Sequence, residues 1–269
     1  MTITELKNGA DNVLIESQEL DRIAAATSSA ARMLMEVGVR AKVVHEDCAR
    51  IAHGLGAERV DLCLDYASFH ITVTRGRSNV TKTLELGPLG VNYRLSHAIR
   101  GLAQRICRGG MTPAEALSEM MRLKQGTGHH PPSVVALGVG IACAAFGRLL
   151  GMDWAAFLPV FASGAIGQSI RYFLLSRGTN VFAVAACVAF LASSVGGLGA
   201  QWAGSKTLNI AMIASVLLLV PGVPALDAQY DILDGYPTLG TARAVVVSMI
   251  LIFTATGVLI ARAALGVRQ

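Results

Sequence analysis

The spacing of apolar positions changes character twice along this chain, and each change marks a different kind of element. From about Ser17 to Val37, the residues Ile23, Ala26, Ala30, Met33, Leu34 and Val37 recur at steps of three and four, as in an amphipathic helix, and Gly38 ends the run. Val43, Val44, Ala49, Ile51, Ala52 and Leu55 repeat the pattern up to Gly54 and Gly56, so two helices are expected to pack as a hairpin. The period then drops to two. Val60, Leu62, Leu64 and Tyr66 alternate with Asp61, Cys63 and Asp65, and Phe69, Ile71 and Val73 alternate in the same way, as half-buried strands do. A third strand, VTKTLELG, follows the turn-rich RGRSN, which predicts a short antiparallel meander.

After Gly90 the helical period returns with Leu95, Ile99, Leu102 and Ile106. Thr112-Pro113-Ala114-Glu115 then supplies an N-cap, a proline at the first helical position and a capping-box glutamate. These elements predict a soluble α+β domain over residues 17–128, preceded by a disordered tail, residues 1–16. His129-His130 lies in a Gly/His/Pro linker, where rings at a membrane boundary are expected to play an interfacial role.

The second change is a loss of periodicity altogether. Five apolar segments follow, about Pro132 to Leu150, Trp154 to Ile170, Val181 to Ala200, Leu208 to Ala225 and Ala244 to Ala261. Each is long enough to cross a hydrocarbon core of roughly 30 Å, so residues 129–269 are expected to form an all-α membrane domain of five transmembrane helices. Arg148 sits at a segment end, where it can snorkel, and Trp154, Tyr172 and Trp202 lie where interfacial aromatics are favoured. Small residues such as Gly147 and Gly151, Gly164 and Gly167, and Gly196, Gly197 and Gly199 allow close helix packing.

Composition supports this division. Hydrophobic residues make up 53% of the chain and charged residues 15%, and of 23 Lys/Arg and 18 Asp/Glu only 7 and 4 lie beyond His130. The first 22 residues lack the basic start and apolar run of a secretory signal, which predicts a cytoplasmic N-terminus. Arg122, Lys124, Arg171, Arg177 and Arg243 would then face inside and Arg148, Lys206, Arg262 and Arg268 outside, a mild bias toward N-in, C-out in a bacterial inner membrane. Cys48, Cys63, Cys107, Cys143 and Cys187 are scattered without a C-x-x-C, consistent with reduced thiols. The formal charge of +5 comes without a basic-aromatic stripe, arguing against nucleic acid. His45, Glu46, Asp47, Cys48 and His53 form one tempting cluster, but its histidines are eight apart and fit a metal poorly. No metal or other cofactor is expected.

The stretch LLLVPGVPALDAQYDILDGYPTLGTAR, Leu217 to Arg243, carries the chemistry. Pro221 and Pro224 remove backbone donors within or at the end of the fourth segment and free carbonyls, as in the discontinuous helices that build transport sites. Beyond them stand Asp227, Asp231 and Asp234, which share one face if the segment is helical. A solvated cytoplasmic loop accounts for these acids as well as a cation or proton site partnered by Arg243 does; spacing does not choose between the two.

At these residues the sequence resembles the threonine/serine exporter family. That family's membrane domain carries V-P-G, a polar residue six positions after the proline, Asp at ten, Gly at fourteen and nineteen, and Arg at twenty-two. Here these are Pro221, Gly222, Asp227, Asp231, Gly235, Gly240 and Arg243. The resemblance extends to LMEVGVRA with Gly38 and Glu46, to GVNYRLSHAI with Gly90, Val91 and Asn92, to the T-P-A-E-A helix and to FGRLLGMDW, covering about Ala24 to Gly266. Position 227 is Asp where the family often has Asn, so a site there would carry charge.

Single-chain members continue into a second membrane domain, whereas this chain ends after its fifth segment. The resemblance is therefore to the larger subunit of the two-component branch, associated with succinate as well as threonine/serine export. It implies a secondary exporter, driven by an ion gradient, with a small multi-spanning membrane partner or, failing that, a homo-oligomer. The absence of a Walker motif agrees with secondary transport. Asp227 and Asp231 would take up protons or position an amino group, and Arg243 would balance them or bind a carboxylate. A membrane-anchored cytoplasmic ligand sensor or assembly factor is the alternative, and five segments exceed what an anchor needs. Intramembrane hydrolysis by the aspartates is disfavoured because the other segments offer no second acid in their interiors, so no enzymatic activity is expected.

Overall fold

A computed structural model describes residues 3–128 and 130–266, with side chains from Glu16 onward; His129 and Arg268 therefore lie outside the described residues. The chain divides into two compact units, Met1–His129 with Pro224–Ala244, and His130–Val223 with Val245–Gln269.

The first unit opens with α1 (Ile3–Glu36) and α2 (Ala41–Gly54). α1 reaches back beyond Ser17, through the segment expected as a tail. Three strands follow, β1 (Arg59–Leu64), β2 (Ser68–Arg75) and β3 (Ser78–Glu85), forming one antiparallel sheet in the order β1-β2-β3. Its register pairs Leu62 with Ile71 and Val73 with Val80. Alternation decides the faces: Phe69, Ile71 and Val73 are fully buried, while His70 and Thr72 point outward and bond Thr83 at 2.8 Å and Thr81 at 2.9 Å across the strands.

The buried face packs beneath α1 and α2, and α3 (Tyr93–Cys107) and α4 (Pro113–Gly126) close the core around Ile99, Leu102, Ile106 and Met120. The Thr112–Glu115 capping box is formed in both directions at the start of α4. Burial of such side chains at roughly 1.5–3 kcal/mol each is what holds this unit together.

The second unit is made of α5 (Pro132–Leu149), α6 (Phe157–Ser176), α7 (Val181–Trp202), α8 (Leu208–Ser215), a single 3-10 turn at Leu217–Leu219, and the later part of α10 (Pro237–Ala264). Small residues bring its helices together. A Cβ on Gly140 would sit 2.6 Å from the Phe161 carbonyl oxygen, and one on Gly164 3.1 Å from Cys143, so α5 and α6 cross at backbone distance. Near Gly196 three buried serines join three helices: Ser163 Oγ donates to Ser215 Oγ at 2.7 Å, and Ser193 Oγ to the Met212 carbonyl at 3.3 Å. Between the helices, Asp153 accepts from Lys206 N at 2.7 Å and Ser205 Oγ at 2.8 Å and so ties two loops together.

Among the described residues three helices, α5, α7 and α10, are long and apolar enough to cross a membrane, and the count reaches four if α8 with its 3-10 turn and the following α9 (Gly222–Leu233) form one broken span. Of the five crossings expected from sequence, length and composition support three to four. α6 has the length, but Gln168, Ser169 and Arg171 interrupt its apolar run. The segment expected as the fourth span is bent by 61° between Leu219 and Gly222.

Candidate functional site

The bend has a local cause. The 3-10 turn ends at Leu219, Val220 takes an extended conformation, and Pro221 lacks the N–H a continuing helix would need, so the chain restarts as α9 at Gly222. Pro224 falls in the first turn of α9, where its missing donor costs nothing. α9 ends in a Schellman motif: Tyr236 N donates to the Asp231 carbonyl at 2.7 Å, Gly235 N to that of Ile232 at 3.2 Å, and Gly235 adopts φ +92°. Pro237 then opens α10. Gly240 lets the two helices touch, since a Cβ there would stand 2.6 Å from Ile232 Cγ1 and 2.8 Å from the Ala228 carbonyl oxygen.

Within the first unit this hairpin is fastened to the turn between α1 and α2. Asp231 has no exposed surface. One carboxylate oxygen accepts from Ala41 N at 2.8 Å and the other from Arg243 at 2.5 Å. Arg243, 7% exposed, donates a second bond to the Val39 carbonyl at 3.2 Å. Arg40, the N-cap of α2, has no capping side chain of its own, so Asp231 caps that helix from a distant part of the chain. Each bond has at least one charged partner, and the Asp231–Arg243 bond two, which makes them stronger than neutral ones.

The three acids thus have separate fates. Asp231 is consumed by the lock, and Asp234, just past α9, faces Lys42 at 3.4 Å. Asp227, one turn before Asp231, is half-buried, and its carboxylate makes no hydrogen bond or ion pair among the described residues, although Arg243 and Arg40 lie within electrostatic reach. Arg40 likewise has no ion pair among the described residues; its guanidinium lies 4.5 Å from the centroid of Tyr230. His45 tilts against Tyr236 at 5.1 Å, and burial pulls its pKa below the usual 6.5.

The chain belongs to the threonine/serine exporter family. The model of that family, ThrE, described as "Putative threonine/serine exporter", matches residues 25–264. Two relatives, both named "Probable succinate transporter subunit YjjP", come from Klebsiella aerogenes and Escherichia coli K12. The first is 27% identical over 242 residues, covering 88% of this chain and 92% of its own length. The second is 28% identical over 239 residues, covering 87% and 91%. No solved structure matches the chain. With its apolar helices, this member of a transporter family is a membrane protein.

The family match includes both the Gly38-Val39-Arg40-Ala41 turn and the Asp231–Arg243 hairpin, which the fold brings into contact. The sequence motif located Asp227, Asp231 and Arg243 but gave no sign of their partners on the turn or of Arg40 and Tyr230. The tempting His45–His53 stretch is otherwise engaged: Asp47 bonds Arg50 at 2.6 Å and Arg100 at 3.2 Å, Cys48 is buried, with its thiol pKa pushed up by that burial, and His53 meets the Glu58 carbonyl at 3.1 Å. No group of three metal-ligating side chains occurs among the described residues.

Proposed function

We propose that this chain is one subunit of a secondary-active exporter that moves a small hydrophilic metabolite out of the cytoplasm across the bacterial inner membrane. The cargo is threonine/serine or a C4 dicarboxylate such as succinate; the gradient is of protons, and a second, small multi-spanning membrane subunit completes the transporter. Membership of an exporter family and relatives named as succinate transporter subunits support this reading.

The observation that carries it is Asp227, a carboxylate without a hydrogen bond or ion pair among the described residues, on the helix that restarts after a proline break. A half-buried acid is costly to keep unless it is used, and a carboxylate is a carrier for a proton or an ammonium group. Asp231 and Arg243 act beside it as a fixed support rather than as a second carrier, because they hold each other and the backbone of the α1–α2 turn. The soluble unit, with the N-terminus inside, is then part of the transport hairpin's framework.

Cells loaded with succinate, threonine or serine and expressing the chain with its small partner are expected to expel at least one of them faster than cells lacking either subunit. Asp227→Ala is expected to abolish that difference while leaving membrane insertion intact. Equal efflux with and without the chain would overturn the reading.

A further inference from the structure

The lock described above grips the backbone on both sides of a single residue. Arg243 holds the Val39 carbonyl at 3.2 Å and Asp231 holds the Ala41 amide at 2.8 Å, so Arg40 between them sits on a fixed stretch of chain. Its φ of −62° and ψ of 145° place it just outside α2, where its side chain leaves the helix. That side chain ends over Tyr230, which is 47% exposed and lies three residues after Asp227 on α9. Residues three apart share a helix face, so Asp227 and the Tyr230 ring that Arg40 covers are neighbours.

Two opposite charges therefore flank one open aromatic ring, both half-buried, and neither forms an ion pair among the described residues. A pinned backbone with an unspent guanidinium is the arrangement expected of a preorganised binding group. Guanidinium donors match a carboxylate in fork geometry, and the cation–π contact with the ring consumes none of them.

Resting on the exporter reading, we propose that Arg40 is a substrate-binding residue that takes the carboxylate common to amino-acid and dicarboxylate cargo, with Tyr230 beneath it and Asp227 facing the other end of the molecule. Asp227 then sorts the cargo by its second group. An ammonium group is held by the ionised acid, whereas a second carboxylate is accepted only when Asp227 carries a proton. The buried Asp231–Arg243 pair serves this site by positioning Arg40.

The test uses the full chain, purified together with its small partner, in proteoliposomes preloaded with labelled succinate or threonine, alongside direct binding of each compound in detergent. Arg40→Gln is expected to weaken binding and raise the half-saturating concentration by about tenfold to a hundredfold, with the maximal rate little changed. Arg40→Lys, which keeps charge but not the fork, is expected to fall between. Asp227→Asn is expected to abolish threonine binding and spare succinate. If Arg40 only anchors the turn, Arg40→Gln changes thermal unfolding and leaves half-saturation and binding unaltered, and the inference fails while the exporter reading stands. If the unsubstituted protein neither binds nor moves either compound, both fall together.

Discussion

Removing the Asp231 carboxylate should loosen the α1–α2 turn far more than deleting an exposed acid would. Asp231→Ala strands the Arg243 guanidinium, which is 7% exposed, and leaves the Ala41 amide without an acceptor. Breaking a buried pair from one side costs about 3–5 kcal/mol, because the remaining charge is unpaired where water does not reach it. Arg243→Met should cost a similar amount by stranding the carboxylate. The double substitution Asp231→Asn with Arg243→Met removes both charges yet keeps an amide oxygen to accept from Ala41, so it should cost only about 1–2 kcal/mol. Asp231→Asn alone also strands the guanidinium, so the double variant should fall short of the sum of Asp231→Asn and Arg243→Met by several kcal/mol, well beyond the ~0.5 kcal/mol within which independent sites add. Hydrogen exchange read by mass spectrometry on peptides covering residues 38–50 measures the local opening directly. Additive effects, or an Asp231→Ala turn as protected as the native one, would refute the lock.

Gly240→Ala should force α9 and α10 apart within the first unit, costing about 1–3 kcal/mol as an overpacked contact, and thermal unfolding in detergent checks it. His45 should make stability pH-dependent. Its folded-state pKa lies below the usual 6.5, so the unfolded chain binds the proton more readily, and stability should fall as pH drops through 6.5 toward the folded value. Denaturant titrations of His45→Gln should lose this dependence. At Asp153, burial alone would raise the pKa, but the bonds from Lys206 N, Ser205 Oγ and Ala156 N outweigh it and leave the acid below its usual range. Asp153→Ala should accordingly free both loops, seen as faster proteolysis near residues 153 and 205.

Much of the first unit is written locally. Alternation across Val60, Leu62 and Leu64 and across Phe69, Ile71 and Val73 marks β1 and β2, and the Thr112–Glu115 box marks the start of α4, because each signal acts within a few residues. The upstream extent of α1 carried no comparable cap. At α6 the apolar window is visible in the sequence, but Gln168 and Arg171 lie inside the helix rather than at its end, so its apolar run is broken. The hairpin motif was legible residue by residue, down to the turn glycine Gly235. Its purpose was not, since Asp231 finds its partner amide 190 residues away and no periodicity encodes such a contact. Arg40 is set over Tyr230 by the fold in the same way, through contacts that no local pattern encodes.

If the chain carries a metabolite outward by way of Asp227, transport and that carboxylate must fail together. Purified with its small partner and reconstituted with an imposed proton gradient, the chain should release preloaded succinate or threonine, and Asp227→Ala should reduce that release to the rate of empty liposomes. Release that proceeds undiminished in Asp227→Ala, or none from the unsubstituted pair for either compound, would contradict that role.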